Sequence, residues 1–410
     1  MKGFHTRAIH CTPAKQDPHG SLRTPVYDSA AFEFGSSREL QLAFEGRRPA
    51  HAYSRITNPT VEDFERRVRE LSGALGVIAT SSGMAAIGTL ALALGAPGGN
   101  VVTTRFLFAN TVSLFEHTLG RWGLDTRYVD FSRPETVGAA LDQNTRFIFV
   151  EAITNPQLEV ADIDTISSIA ADAGVPVILD GTLTTPYLFR SKDHGVALEV
   201  LSSTKYLSGG ATSVGGLIID NGTFDWSASH DFREAAAGFG PYALLKRLRG
   251  EVYRNLGVCL SPHNAYLQTL GLETLAMRVE RSCANALEIA RCLDSHPNVK
   301  GVNYPGLESS PSQAVAARQF GNRFGALLTL DLGSRERCFR FMDSLKLIRR
   351  ATNLNDNKTL VIHPASTIFA DYQQDERDRM GVPDSMIRVA AGIEEAEDII
   401  EDIQQGLAAL

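Results

Sequence analysis

The stretch Ser202-Ser203-Thr204-Lys205-Tyr206-Leu207-Ser208-Gly209-Gly210 places one lysine among hydroxyl residues, shortly before a pair of glycines. The apolar residues 196–201 lead into it, which predicts a buried strand whose end carries the lysine. Burial favours the neutral form of an amine, so Lys205 is a candidate nucleophile that would bind an aldehyde as an imine. Ser202 and Thr204 would be able to hold a phosphate beside it. A solvated loop lysine is the alternative that this stretch alone leaves open.

Apolar runs and helical stretches alternate before this lysine, and one more strand follows it. The predicted strands lie near 75–80, 101–103, 125–129, 146–150, 175–179, 196–201 and 214–219, with helices around 60–71, 84–94, 109–119, 134–141 and 162–172. Thr60 is expected to cap the first of these helices. The alternation indicates an α/β fold with a mostly parallel sheet covered on both faces. In such sheets, ligands bind at the carboxyl ends of the strands.

Polar residues stand at several of these strand ends. Residues 81–84, Ser-Ser-Gly-Met, turn from a strand into a helix, whose free backbone amides form a generic phosphate site. Asn155 follows a second strand, and Asp180 ends a third. A carboxylate there needs a partner, although a turn aspartate is an equally common explanation. Two strand ends of one sheet are expected to bring Asp180 and Lys205 to one site.

Residues 1–60 carry turn signals and little periodicity, which predicts an extended arm that packs on another surface, such as a second subunit. Tyr53 and Arg55 lie two positions apart in this arm, and in an extended segment they would face the same side. A tyrosine hydroxyl and a guanidinium suit a phosphate or a carboxylate. An ordinary surface pair is the alternative.

A long helical region from about residue 261 and the strands after it predict a second, smaller α+β domain. These strands are expected at 325–332, 359–362 and 387–389. We therefore divide the chain into the arm (1–60), a large domain (61–255) and a C-terminal small domain (256–410). Arg388 lies in the last strand, where a surface salt bridge is the ordinary explanation for an arginine.

The composition narrows the class of partner. The chain has 410 residues, 43% of them apolar, and a net charge of −7, which argues against a nucleic-acid or membrane-surface footprint. The five cysteines are scattered and the ten histidines form no zinc spacing, so no metal site is expected. The first residues contain no apolar targeting segment. We expect a cytoplasmic protein that acts on small molecules.

Seven pieces of the sequence, in one order along nearly the whole chain, resemble the pyridoxal-phosphate-dependent family of cysteine and methionine metabolism, the transsulfuration enzymes. They are Tyr53-Ser54-Arg55-x-x-Asn58-Pro59-Thr60, Ser82-Gly83-Met84-Ala85-Ala86, Thr154-Asn155-Pro156, Asp180-Gly181-Thr182, Ser202-x-Thr204-Lys205-Tyr206, His363-Pro364-Ala365-Ser366 and Arg388-x-x-x-Gly392-x-Glu394. The resemblance implies the aspartate-aminotransferase-like fold, fold type I of the pyridoxal-phosphate-dependent transferases. It also implies at least a homodimer, and the family is usually homotetrameric.

The same resemblance implies pyridoxal 5'-phosphate as the cofactor. Lys205 would carry it as an imine and then shuttle protons, while Asp180 would keep the pyridine nitrogen protonated. Arg388 would clamp the carboxylate of an amino-acid substrate, with Asn353 beside it. The other implied positions are Ser82, Gly83, Met84, Ser202 and Thr204 around the phosphate, Thr182, Asn155 at the ring hydroxyl, Phe108 on the ring face, and Tyr53 and Arg55 at a neighbouring subunit's phosphate, Tyr53 also in a catalytic role.

Departures from the family pattern bear on the substrate. Phe108 stands where the family usually has a tyrosine, whose hydroxyl is credited in the lyases with helping a thiol to leave. An acylated hydroxyl needs little such help. The stretch 353–367 is similar to the O-acetylhomoserine sulfhydrylase form, with Asn355 in place of a glycine. Gly181 and Gly210 replace an asparagine and a histidine, which leaves the acceptor open. An enlarged or more apolar pocket for a nucleophile other than sulfide is one interpretation of these changes.

These features favour γ-replacement on an O-activated homoserine, such as O-acetyl- or O-succinylhomoserine, with sulfide, a thiol or another nucleophile, through a vinylglycine-type intermediate. The pattern is closest to the O-acetylhomoserine sulfhydrylases and to cystathionine γ-synthase. Elimination, as in methionine γ-lyase or the cystathionine lyases, is the alternative. A non-catalytic protein that retains the fold is a third possibility, against which the intact Lys205, Asp180 and Arg388 argue.

Overall fold

The computed structural model describes residues 2–11 and 17–410, and its first sheet has seven strands. They are β1 (Gly76–Thr80), β2 (Asn100–Thr103), β3 (Asp125–Tyr128), β4 (Thr145–Glu151), β5 (Val177–Asp180), β6 (Leu198–Leu201) and β7 (Gly216–Asp220), in the spatial order β1-β7-β6-β5-β4-β2-β3. Strands β2 to β6 pair in parallel, whereas β7 is antiparallel to both β1 and β6. This confirms the predicted α/β fold with a mostly parallel sheet.

A second sheet of five strands comes from the C-terminal part of the chain. Its strands are β8 (Gly301–Asn303), β9 (Leu327–Asp331), β10 (Arg349–Arg350), β11 (Leu360–Ile362) and β12 (Met386–Ala390), in the order β10-β11-β12-β9-β8. The three predicted strands of this region are confirmed. Strands β8 and β10, of three and two residues, were not predicted. The domain boundaries at residues 60 and 255 stay predictions.

Helices surround both sheets. They are α1 (Phe4–Ile9), α2 (Ser37–Phe44), α3 (Pro59–Ser72), α4 (Gly83–Leu94), α5 (Ala109–Ser113), α6 (Gly120–Trp122), α7 (Pro134–Ala140), α8 (Ile163–Asp172), α9 (Thr185–Leu188), α10 (Arg233–Phe239), α11 (Ala243–Arg247), α12 (Tyr253–Leu256), α13 (Pro262–Glu273), α14 (Leu275–Leu293), α15 (Gln313–Phe320), α16 (Arg335–Ser344), α17 (Gln374–Arg379) and α18 (Ala396–Ala408). Within the described ranges, no helix combines the length and the apolar character needed to cross a bilayer.

Both faces of the seven-stranded sheet are buried, because its strands are apolar on both sides. On one face, Ile78, Phe147 and Val200 pack with α4 and α5. On the other face, Val177 and Leu179 pack with α8 and α14. A sheet covered in this way leaves its strand ends as the place where polar side chains gather.

The start of α3 differs from the prediction. Asn58, not Thr60, caps this helix, and its side chain accepts a hydrogen bond from the Thr60 N–H over 2.9 Å. Pro59 takes the first helical position, where its fixed φ suits the helix and its missing N–H costs nothing. The Thr60 hydroxyl instead holds the arm, since it donates to the carbonyl of Pro25 and accepts from the N–H of Tyr27.

The arm is not extended throughout, because it contains α1 and α2. Ala8 of α1 is buried in the cluster that includes Val61 and Phe64 of α3. Helix α2 begins at a capping serine, Ser36, which accepts from the N–H of Glu39. Helix α1 has only six residues, too few for a periodic pattern in the sequence. Residues 12–16 of the arm lie outside the described part of the chain.

Candidate active site

Lys205 lies in the loop that connects β6 to β7, at the carboxyl edge of the large sheet. Its Nζ donates a hydrogen bond to Oδ1 of Asn353 over 2.7 Å. Burial, together with the nearby charge of Arg388, lowers the pKa of the lysine amine to about 8. A solvated loop lysine is therefore the wrong explanation, and a large fraction of this amine is neutral near pH 8.

Arg388 is buried in β12 rather than at the surface, with 2% of its area exposed. Its guanidinium donates to Oδ1 of Asn155 over 2.9 Å and to the carbonyl oxygen of Asn353 over 3.0 Å. Burial lowers its pKa to about 10. The Nε group is buried and has no hydrogen-bond partner among the described residues. A surface salt bridge is thus wrong for Arg388, and its charge remains available for an anion.

Asp180 is the last residue of β5, which pairs directly with β6, the strand that leads into the Lys205 loop. Its Oδ1 accepts the N–H of Thr182 over 2.9 Å, and burial raises the pKa of its carboxyl group. The hydroxyl oxygen of Thr182 in turn accepts the N–H of Ser202 over 2.8 Å. Thr182 therefore links the carboxyl group of Asp180 to the beginning of the lysine loop.

The N-terminus of α4 approaches the same loop. Ser82 caps this helix by accepting the N–H of Ala85 over 3.1 Å, and the half-buried Met84 follows in the first turn. A Cβ atom at Gly83 would lie 2.8 Å from the Cβ of Ser202, so only a glycine allows this approach. The first backbone amides of a twelve-residue helix meet the Ser202 side chain here, which is an arrangement that suits a phosphate.

Thr204, unlike Ser202, has its hydroxyl group bonded to the main chain of a neighbouring segment. Its hydroxyl donates to the carbonyl of Gly215 and its oxygen accepts the N–H of the same residue, each over 3.1 Å. These two bonds pin the lysine loop to the start of β7. The predicted contact of Thr204 with a phosphate stays a prediction.

Phe108 and Asn155 meet at one carboxyl group that the sequence interpretation missed. Glu151, the last residue of β4, accepts the N–H of Phe108 over 2.7 Å and the N–H of Asn155 over 3.2 Å. The signal was present, because Glu151 ends an apolar strand just as Asp180 does. Phe108 is half-buried at the start of α5.

Tyr53 and Arg55 contact each other, and Arg55 also contacts the main chain of Arg254. Tyr53 is 43% exposed, and the Arg55 guanidinium carbon lies 5.4 Å from the centre of its ring. Arg55 also donates to the carbonyl of Arg254 over 2.5 Å. Within the described residues, no hydrogen bond or ring contact joins either side chain to Lys205. Their predicted contact with a neighbouring subunit's site stays a prediction.

Two glycines that depart from the family pattern make room for other side chains. A Cβ atom at Gly181 would lie 2.2 Å from Oε1 of Glu199, and one at Gly210 would lie 2.4 Å from Nδ2 of Asn357. Asn357 also donates to the main chain of the lysine turn over 3.0 Å. The expected enlargement of the pocket is therefore wrong at these two positions, because Glu199 and Asn357 fill the space.

Asn355 has a left-handed backbone, with φ at 54°, which explains why a glycine suits this position. Its side chain is 2% exposed, and neither polar atom of its amide has a hydrogen-bond partner among the described residues. Burying an unpaired amide is costly, and a bound polar group would remove that cost. Asn355, two residues after Asn353 in the sequence, is therefore a further candidate for contact with a bound polar group.

Glu199 gives the stability of the protein a dependence on pH. Burial raises the pKa of its carboxyl group from 4.5 to about 8. The hydrogen bond that the Ser191 hydroxyl donates to Glu199 acts in the opposite direction and lowers the pKa. The stabilisation from the protonated group is complete below about pH 4.5 and is lost as the pH rises through about 8. We expect Glu199→Gln to be more stable than the parent at pH 8 and nearly equal to it at pH 4.5, since each unit of pKa shift corresponds to about 1.4 kcal/mol.

Urea unfolding at the two pH values measures this difference. Glu288→Gln, at an exposed position of α14, is the matched control. A Glu199→Gln variant whose stability differs from the parent by the same amount at both pH values would show that the buried carboxyl group does not titrate in this way.

The residues at this edge of the sheet fit pyridoxal 5'-phosphate. An amine of lowered pKa suits its aldehyde, the glycine-lined N-terminus of α4 suits its phosphate, and the carboxyl group at the end of β5 suits its ring nitrogen. The aldehyde would be held by Lys205 and the ring nitrogen by Asp180. The phosphate would be held by Gly83 and Ser202. Fold and site together define a pyridoxal-phosphate-dependent enzyme.

The chain belongs to the Cys/Met metabolism PLP-dependent enzyme family, whose family model matches residues 5–408. It is 36% identical to the sulfhydrylase FUB7 of Fusarium oxysporum f. sp. lycopersici, over 99% of this chain and 97% of that protein. It is 36% identical to the L-methionine γ-lyase of Pseudomonas putida, over 100% and 98%. A candidate O-acetylhomoserine (thiol)-lyase of Campylobacter jejuni, solved with a pyridoxyl-lysine phosphate, superposes with a TM-score of 0.93 at 31% identity, covering 99% of this chain and 100% of that one.

Proposed function

We propose that the protein catalyses γ-replacement on an O-acylated homoserine, in which a sulfur or other nucleophile takes the place of the acyl carboxylate. The observation that carries this proposal is that a phenylalanine, Phe108, stands at this position. Its main-chain N–H donates to the Glu151 carboxyl group over 2.7 Å, and its side chain has no hydroxyl to donate. A carboxylate leaves without a proton, whereas a thiolate leaves better with one. The likeness to a sulfhydrylase and to an O-acetylhomoserine (thiol)-lyase supports the same reaction.

The side chains divide the reaction between them. When bound, pyridoxal phosphate supplies an electron sink that stabilises negative charge at the substrate's α-carbon. Lys205 Nζ, oriented by Asn353, would take protons from Cα and Cβ and return them after the exchange. Arg388 would bind the substrate carboxylate. The bond from Cγ to the acyl oxygen breaks, the acyl group leaves as a carboxylate, and the nucleophile bonds to the same carbon.

Product analysis tests this function. The purified protein is incubated with O-acetyl-, O-succinyl- and O-phosphohomoserine against sulfide, small thiols and carbon acids, and the products are identified by mass. From the acetyl or succinyl ester, we expect a replacement product and a free carboxylate in equal amounts, whereas replacement on the phosphate ester would release inorganic phosphate. Ammonia and 2-oxobutanoate formed without a nucleophile, and unaffected by adding one, would support elimination instead, which the likeness to a methionine γ-lyase keeps as the second candidate. Protein that gains no visible absorbance with pyridoxal phosphate would contradict both.

The proposal includes an assembly of at least two chains, with a homotetramer as the expected form and the cytoplasm as the expected location. Tyr53 and Arg55 support the assembly, because they are exposed and make their contacts away from Lys205 of the same chain. In a dimer they would be free to complete the phosphate site of the neighbouring subunit. Light scattering of the active protein checks the assembly, and an active monomer would contradict it.

A further inference from the structure

Glu151 is a buried acidic residue that the proposed reaction does not use. Glu151 is 5% exposed, and it lies directly opposite Asp180 in the pairing of β4 with β5. Burial and the Asp180 charge both raise the pKa of its carboxyl group. No lysine, arginine or histidine among the described residues forms an ion pair with it. A carboxyl group in this position is costly unless its hydrogen bonds serve a purpose.

Those hydrogen bonds join the segments that follow two neighbouring strands, β2 and β4, beyond the point where the strand pairing ends. Oε1 accepts the N–H of Phe108, at the start of α5, over 2.7 Å, and Oε2 accepts the N–H of Asn155, after β4, over 3.2 Å. One side chain therefore fixes the main chain of both residues relative to the end of the sheet. An apolar side chain of the same size would leave two buried N–H groups without partners.

The contacts continue from Asn155 to the small sheet. Oδ1 of Asn155 accepts from Arg388, Arg388 donates to the carbonyl of Asn353, and the side chain of Asn353 accepts from Lys205. A displacement of the Asn155 main chain would therefore move the guanidinium and, through Asn353, the lysine amine. Small displacements of groups that orient a substrate reduce turnover strongly.

We propose that Glu151 is a positioning residue of the active site, which sets the placement of Phe108 against the cofactor ring and of Asn155 against Arg388. The inference rests on the proposed function, because it needs Phe108 and Arg388 to act on the cofactor and the substrate. Glu151 itself touches neither Lys205 nor Arg388 through a hydrogen bond in the described part of the chain. Its effect is transmitted through two main-chain N–H groups.

Glu151→Gln tests this role in the holoenzyme, because glutamine keeps the shape but turns one acceptor atom into a donor that faces a buried N–H. We expect the variant to bind pyridoxal phosphate and to show weaker circular dichroism in the visible band, since the ring is held less firmly. We expect a fall in kcat of about tenfold to a hundredfold and a higher KM for the acylated homoserine. Glu151→Asp, which keeps two acceptor oxygens on a shorter arm, is expected to fall between the parent and the glutamine variant. Glu159→Gln is the control.

Thermal unfolding separates positioning from a structural role. A Glu151→Gln protein that loses only thermal stability, with visible circular dichroism, kcat and KM as in the parent, would overturn the proposal. Failure of both Glu151 variants to fold would also overturn it, since the residue would then serve the fold rather than the site. A parent protein without visible absorbance or γ-replacement would instead contradict the proposed function, so the two failures are distinct.

Discussion

Lys205→Ala is expected to leave a folded protein that no longer completes γ-replacement, with turnover reduced by more than about a thousandfold. The side chain of Lys205 is the amine at the end of β6, with a pKa lowered to about 8 and Nζ held 2.7 Å from Asn353. Alanine removes both the group that would attach the cofactor and the base that would move the protons. No other lysine of the described residues donates a hydrogen bond to Asn353.

The fold is expected to survive this change. The main chain of Lys205 still donates to the carbonyl of Ser202 and accepts from the N–H of Ser208, so the turn keeps its backbone bonds. Far-ultraviolet circular dichroism and thermal unfolding check the fold, while the visible spectrum after removal of free pyridoxal phosphate reports covalent attachment. Lys300→Ala, at an exposed position, is the control. Turnover within a few fold of the parent would overturn the assignment of Lys205.

The strands of the large sheet were predictable because buried parallel strands are short apolar runs, and Lys205 and Asp180 were predictable because each is a polar residue that closes such a run. Glu151 gives the same signal, but only its contacts to two distant N–H groups distinguish it from an ordinary strand-end acid. The burial of Arg388 had no local signal. Its partner Asn155 lies 233 residues away in the sequence.

The departures at Gly181 and Gly210 show the same limit. In the sequence, each glycine stands where the family pattern has a larger side chain, which suggests free space at that position. In the structure, Glu199 from the neighbouring strand and Asn357 from the small sheet's connection occupy the space. A sequence pattern reports what one position lacks, whereas packing depends on residues far along the chain. Tertiary contacts of this kind determine the shape of the substrate pocket.

Arg388→Lys is expected to raise the KM for the acylated homoserine by about a hundredfold, while the protein still binds pyridoxal phosphate. The buried guanidinium reaches Asn155 and Asn353 at once and still has an unpaired Nε, whereas an ammonium group is a point donor that cannot span both partners and a substrate carboxylate. The positive charge stays in place, so the pKa of Lys205 should remain low. Steady-state kinetics and visible spectra measure both effects, with Arg349→Lys, exposed in β10, as the control. An unchanged KM for the acylated homoserine would show that the substrate carboxylate is bound elsewhere.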